Sequence, residues 1–186
     1  SLISVLDDIA AARAHGDLED GPFASIANKL EDTLKTRFEL ERYGAEGMVN
    51  MLHDMIVVRT FESMLDSIKK TGEWQGIAYN HKGPAHLGIG QESAYVGQAT
   101  VLAPEDFVFG SHRSHGEILA KCYSAMRQIP ADQLEEIMKS FLGGETLSFA
   151  EKINYANTTE LTENFILFGA LAEIRSEEHT SELQSP

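Results

Sequence analysis

His86, His112, Arg113 and His115 fall in two short glycine-bearing stretches, residues 85–92 and 110–116. Helical patterning follows each stretch, so each is expected to open a helix. A polar, glycine-rich loop at a helix N-terminus turns backbone N–H groups toward an anion. Arg113 adds a fixed positive charge with bidentate donors suited to phosphate. His112 and His115 add groups that titrate near neutral pH. Blander roles use the same residues. Ser114-x-x-Glu117 has capping-box spacing, so the second stretch also reads as a plain helix start. His81, His86, His112 and His115 could converge on a metal, although no cysteine or clustered carboxylate accompanies them. Gly88-Ile89-Gly90 lacks the third glycine of a dinucleotide-binding fingerprint.

The elements that must position these loops are mostly helices. Ile26, Leu30, Leu34, Phe38 and Leu40 mark a charged amphipathic helix over residues 26–43, punctuated by Gly44 and Gly47. The next pattern is stronger. Met48, Met51, Leu52, Met55, Ile56, Val58, Phe61, Met64, Leu65 and Ile68 recur at three- and four-residue steps. Lys69, Lys70 and Gly72 supply the basic end and the stop. Residues 72–90 read as a long loop, a length that favours function. Ala94, Gly97, Ala99 and Thr100 give the helix over 91–101 a small-residue side, expected to approach another element closely. Phe107-Val108-Phe109 reads as a short buried strand. Helices are then expected from Ser114, over 131–142 after Pro130, from the second capping-box spacing Ser148-x-x-Glu151, and over 159–174.

Composition narrows the classes. The chain has 186 residues, 42% of them hydrophobic, which is globular. No apolar run approaches the roughly 18 residues of a membrane span. The formal charge of −14 argues against nucleic acid and against anionic membranes as partners. One cysteine, Cys122, excludes an internal disulfide framework and fits a reducing, cytoplasmic setting. Residues 175–185 match, residue for residue, the in-frame translation of a widely used short-read sequencing adapter. Residues 175–186 are therefore expected to be non-native, and the native chain to continue beyond residue 174. A first residue of Ser rather than Met leaves the true start open in the same way.

Taken in order, Gly83-x-x-His86-Leu87-x-x-Gly90-Gln91-Glu92 and then Asp106-x-Val108-Phe109-Gly110-Ser111-His112-Arg113-Ser114-His115-Gly116 resemble the alpha chain of thiamine-diphosphate-dependent 2-oxo acid dehydrogenases. Arg59, Phe61 and Glu62 resemble that family's entry helix. The resemblance covers residues 48–121. It implies an α/β fold, here the N-terminal and mostly helical part of a thiamine-diphosphate-binding fold with an incomplete sheet. It implies His112, Arg113 and Ser114 as cofactor-binding residues and His86 and His115 as catalytic residues facing the active-site funnel. Thiamine diphosphate and Mg are the implied cofactors, with the metal ligands in a missing downstream part and none assigned here. The implied reaction is oxidative decarboxylation of a 2-oxo acid with acyl transfer to a lipoyl carrier, by a fragment expected to be inactive alone. Its implied partners are a beta-type subunit or fused beta half and a lipoyl-bearing acyltransferase. The corresponding domains are a helical extension over 1–45 and a partial dehydrogenase domain over 46–174 with a helical insertion at about 121–168. A reading of another class stands beside it: a non-catalytic helical interaction domain with an anion site at a helix N-terminus.

Overall fold

A computed structural model describes residues 22–79, 86–110 and 114–182, together with residues 9, 11, 13, 14 and 16. The chain divides into two compact units, Ser1–Asn50 and Met51–Pro186. Helix α1 (Pro22–Thr71) runs through the boundary and is broken at Gly44, whose φ of 68° and ψ of 169° leave helical space. Only glycine takes that conformation without strain. The break falls where the charged helix was expected to stop.

In the first unit, Ala27 is buried and Ile26 and Leu40 are exposed. The side chains of Leu30, Leu34 and Phe38, expected to line its apolar stripe, lie outside the described set. The guanidinium of Arg42 sits 5.1 Å from the centre of the Tyr43 ring, and Arg13 donates a hydrogen bond to Asn28.

The second unit contains the remainder of α1, a hairpin of β1 (Glu73–Trp74) and β2 (Ile77–Ala78), and helices α2 (Glu92–Ala99), α3 (His115–Met126) and α4 (Ala131–Ser140). A 3-10 turn (Phe141–Gly144), α5 (Glu145–Ala150) and α6 (Thr158–Glu182) follow. The hairpin is antiparallel, with Glu73 opposite Ala78 and Trp74 opposite Ile77. Gln75 and Gly76 both have positive φ, 49° and 79°, which matches the twist a two-residue hairpin needs.

The core is built from helix faces. Val58, Phe61 and Leu65 of α1 pack with Val96 and Ala99 of α2, Leu119 and Ala120 of α3, and Ile174 of α6. Met138, Leu147, Ala150 and Leu161 form a second cluster. Tyr123, Met126 and Leu134 form a third. The start of α6 is held by a reciprocal cap: Asn157 Oδ1 accepts the Glu160 N–H at 3.0 Å, and Glu160 Oε2 accepts the Ala156 N–H at 2.7 Å. This satisfies donors that a helix start leaves free.

Several expectations are corrected. The α/β fold class gives way to a mostly helical one, because the sheet among the described residues is a two-stranded antiparallel hairpin rather than part of a parallel layer. Residues 107–109 are not a strand, and Phe107 and Phe109 stand 87% and 95% exposed. Three apolar residues cannot form a strand unless a neighbouring strand offers a ladder, and none is at hand among the described residues. Ser148 does not start a helix. It lies inside α5, where its hydroxyl donates to the Glu145 carbonyl at 2.7 Å. The small-residue side of α2 packs only in part: Ala94 and Gly97 are exposed, while Ala99 is buried in the core beside Val96. Among the described residues no helix is long and apolar enough to cross a membrane.

Candidate functional site

The described parts of the two glycine stretches meet around one tyrosine. Gly88 lies so close to the Tyr95 hydroxyl that a Cβ there would come within 2.2 Å of it. Gly116, in the first turn of α3, lies along the Cδ2–Cε2 edge of the same ring, where a Cβ would sit 2.3 Å from Cδ2. Close approach at a glycine thus occurs at Gly88 in the first loop and at Gly116 in the first turn of α3, not at Gly97 of α2.

Carboxylates surround this junction. Glu92, in the first turn of α2, is buried and receives both arms of Arg59: Nε to Oε1 at 2.6 Å and Nη2 to Oε2 at 2.9 Å. Glu92 Oε1 also accepts the Gly90 N–H at 2.9 Å. The hydrogen bond from Arg59 is the main reason its carboxyl is held down to about 2. One turn along α1, Glu62 is fully buried, and its Oε2 accepts the Gly88 N–H at 2.8 Å. Its Oε1 has no hydrogen-bond partner, and neither has Oε2 of Glu117 in the first turn of α3. Burial pushes the Glu62 carboxyl up; the Gly88 N–H opposes this, and the negative charge of Glu92 adds to it.

A second, part-buried ion pair ties α1 to the end of α3. Arg127 grips Asp54 through two bonds, Nη1 to Oδ2 at 2.7 Å and Nη2 to Oδ1 at 2.5 Å. The His53 ring lies 5.9 Å from that of Tyr123 beside it. Burial, with the negative charges of Glu163 and Asp54, raises the Tyr123 hydroxyl far above the ordinary phenol range.

Of the residues singled out from sequence, His86 is exposed at the start of its loop and His115 is half-buried at the first position of α3. Ser114 stands at the N-cap of α3 without a side-chain capping bond, so the Ser114/Glu117 spacing does not become a capping box. His112 and Arg113 lie outside the described residues, as do His81 and Gly83. Among the described residues no group of three or more His, Cys, Asp or Glu side chains could hold a metal ion. Glu62, Tyr95 and Glu117 were not legible as site residues. A glutamate on a charged helix reads as surface, and its burial depends on what packs over it. The charge at these helix starts suits a diphosphate poorly. Glu92 and Glu117 occupy the first turns, and the described cation beside them, Arg59, is already engaged by Glu92.

Two apolar hollows lie elsewhere in the second unit. One, of about 350 Å³, is lined by Ile56, Phe61, Met64 and Trp74 on one side and by Leu167 and Phe168 of α6 on the other. The second, of about 640 Å³, includes Leu119, Cys122, Phe141, Leu142 and Phe165.

No protein-family description matches the chain, and no solved structure does. Matches do occur among curated proteins. Protein GrpE of Mycobacterium tuberculosis (strain H37Rv) is 54% identical over 46 residues, which is 25% of this chain and 19% of the relative. Protein GrpE of Mycobacterium leprae is 50% identical over 46 residues, and that of Corynebacterium efficiens 44% over the same length. The chain thus spans about a fifth of the length of the curated relatives it matches, 19% to 20%. These findings overturn the dehydrogenase expectation, since the relatives are GrpE proteins and not thiamine-diphosphate enzymes. The decarboxylating activity and its 2-oxo acid substrate are withdrawn with it. So are the thiamine diphosphate and Mg requirement, the beta-type subunit and the lipoyl-bearing acyltransferase. Short loops of His and Gly before a helix serve anion sites and plain helix starts alike, so their order carried less weight than an identity sustained over 46 residues.

Proposed function

We propose that this chain is a non-catalytic helical interaction module of GrpE type, acting in the cytoplasm. The single observation that carries this reading is the 54% identity with GrpE over 46 residues. GrpE is a nucleotide-exchange co-chaperone that partners with DnaK. The partner proposed for this chain is accordingly a DnaK-type chaperone. Exchange of a nucleotide bound to another protein requires no chemistry from the co-chaperone. It requires a surface that binds one conformation of the partner better than the other. The helical architecture supports such a role, as do the exposed Phe107 and Phe109 and the apolar hollows beside α6.

The test is binding and exchange with the whole chain. A DnaK from a mycobacterium or corynebacterium, loaded with a fluorescent ADP analogue, is mixed with the chain and nucleotide release is timed. Faster release that saturates with added chain, together with a measurable affinity by calorimetry, is the expected result. No heat of binding and an unchanged release rate at the highest soluble concentration would overturn the proposal.

A further inference from the structure

Glu62 is a fully buried acid that the proposed interaction does not use. It lies on the core face of α1, between Phe61 and Leu65 of the main cluster. Its Oε2 accepts the N–H of Gly88 at 2.8 Å, while Oε1 has no hydrogen-bond partner. Neither apolar hollow is lined by it. A fully buried carboxyl with one unpaired oxygen takes a proton without needing any space beside it. Two buried carboxylates hold the same loop, Glu62 through the Gly88 N–H and Glu92 through the Gly90 N–H. One cation, Arg59, serves them, and both of its bonds go to Glu92.

We propose that Glu62 is a proton-operated latch on the loop over residues 86–91: the neutral carboxyl holds Gly88 against Tyr95, and ionisation releases the loop. An unpaired buried hydroxyl is far less costly than an unpaired buried charge, so the closed loop favours the protonated acid. When the proton leaves, the new carboxylate has one N–H for compensation and the negative Glu92 nearby. Opening the loop exposes it to water and removes the penalty. The ionisable groups on the elements packed here are Arg59 on α1, Glu92 on α2, His115, Glu117 and Lys121 on α3 and Glu173 on α6, with His86 at the mouth of the loop. The carboxyl is pushed up from its ordinary range, chiefly by burial. The loop is therefore closed below that range and opens as the pH rises through the raised value.

Hydrogen exchange of the whole chain, followed by NMR at a series of pH values and corrected for intrinsic exchange, reads the latch directly. In the native chain the protection of Gly88 should fall about tenfold per pH unit between the ordinary carboxylate value and the raised one, the slope of a one-proton opening, and level off above it. Glu62→Gln keeps the shape and cannot ionise, so its Gly88 protection should be flat over the same range. The carboxyl carbon of Glu62 in the native chain, labelled with 13C, gives a readout that needs no variant. It should titrate above the ordinary carboxylate range, at the pH where the fall in Gly88 protection levels off. A pH-independent Gly88, a Glu62 carboxyl that titrates normally, or an unchanged pH profile in Glu62→Gln would each overturn the proposal.

Discussion

Arg59 holds Glu92 through both carboxylate oxygens, at 2.6 and 2.9 Å, across 33 positions of sequence. The pair joins the middle of α1 to the first turn of α2, and through the Gly90 N–H it also sets the loop between them. Glu92 is at a helix N-terminus, where a negative charge is favoured in its own right.

Arg59 is itself half exposed, so what its removal costs is set by the buried carboxylate it leaves. Arg59→Met leaves a buried carboxylate with only the backbone N–H groups of Gly90 and of Glu92 itself, and a lower urea midpoint is expected at pH 7. The sign with pH follows from the depressed carboxyl, held at about 2. Its contribution is fully present above the ordinary glutamate value and disappears as the pH falls from there toward about 2. Native and variant stabilities should converge over that window. A constant difference down to pH 2 would contradict the assignment.

The glycines of α2 and α3 should respond in opposite directions to alanine. Gly116→Ala drives a methyl into the Tyr95 ring and against Val58 Cγ1, 3.2 Å away. A loss of about 1–3 kcal/mol is expected despite the better helix propensity. Gly97 is exposed on α2, with nothing within 4 Å of where a methyl would stand. Gly97→Ala should gain about 0.5–1 kcal/mol. Thermal unfolding of both variants, run side by side, checks the contrast.

The Asp54–Arg127 pair is the other long-range electrostatic tie. Asp54 is 3% exposed and accepts two bonds from one guanidinium. Asp54→Ala should destabilise by about 3 kcal/mol, since it strands a part-buried cation. A double-mutant cycle with Arg127→Met separates that penalty from the pair itself. The double variant is expected to lie within about 1–2 kcal/mol of the native chain, because replacing both members leaves no orphaned charge.

Gly44 interrupts α1 at a φ of 68° and ψ of 169°. Gly44→Ala should cost about 1–3 kcal/mol there, or else drive the stretch into continuous helix. Circular dichroism distinguishes the two outcomes, the second adding helical signal.

Much of the helical order was legible in the chain. The apolar recurrence through Val58, Phe61, Leu65 and Ile68 marks the buried face of α1, and those residues are buried. Lys69, Lys70 and Gly72 end that helix where they were expected to, and Pro130 precedes α4. Capping boxes were harder, because capping-box spacing occurs more often than capping bonds form. Ser114/Glu117 and Ser148/Glu151 form none, whereas Asn157 and Glu160, where no cap was expected, hold the start of α6. Spacing offers a donor and an acceptor, and only the backbone path around them decides whether they meet. Leu52 and Ile56 follow the apolar period of α1 and yet remain exposed, since a helix has more apolar flank than its neighbours cover.

The sequence by itself determined the helices, their stops and the break at Gly44, because those rest on propensity and on local backbone sterics. It also determined that polar loops with glycines would stand before two helices. Tertiary structure decided what those loops do. It set Gly88 and Gly116 against Tyr95, buried Glu62 beneath the first loop, and spent Arg59 on Glu92. Contacts between residues 26 and 33 positions apart depend on how the helices pack, and packing turns a glutamate that reads as surface into a buried acid with one unpaired oxygen.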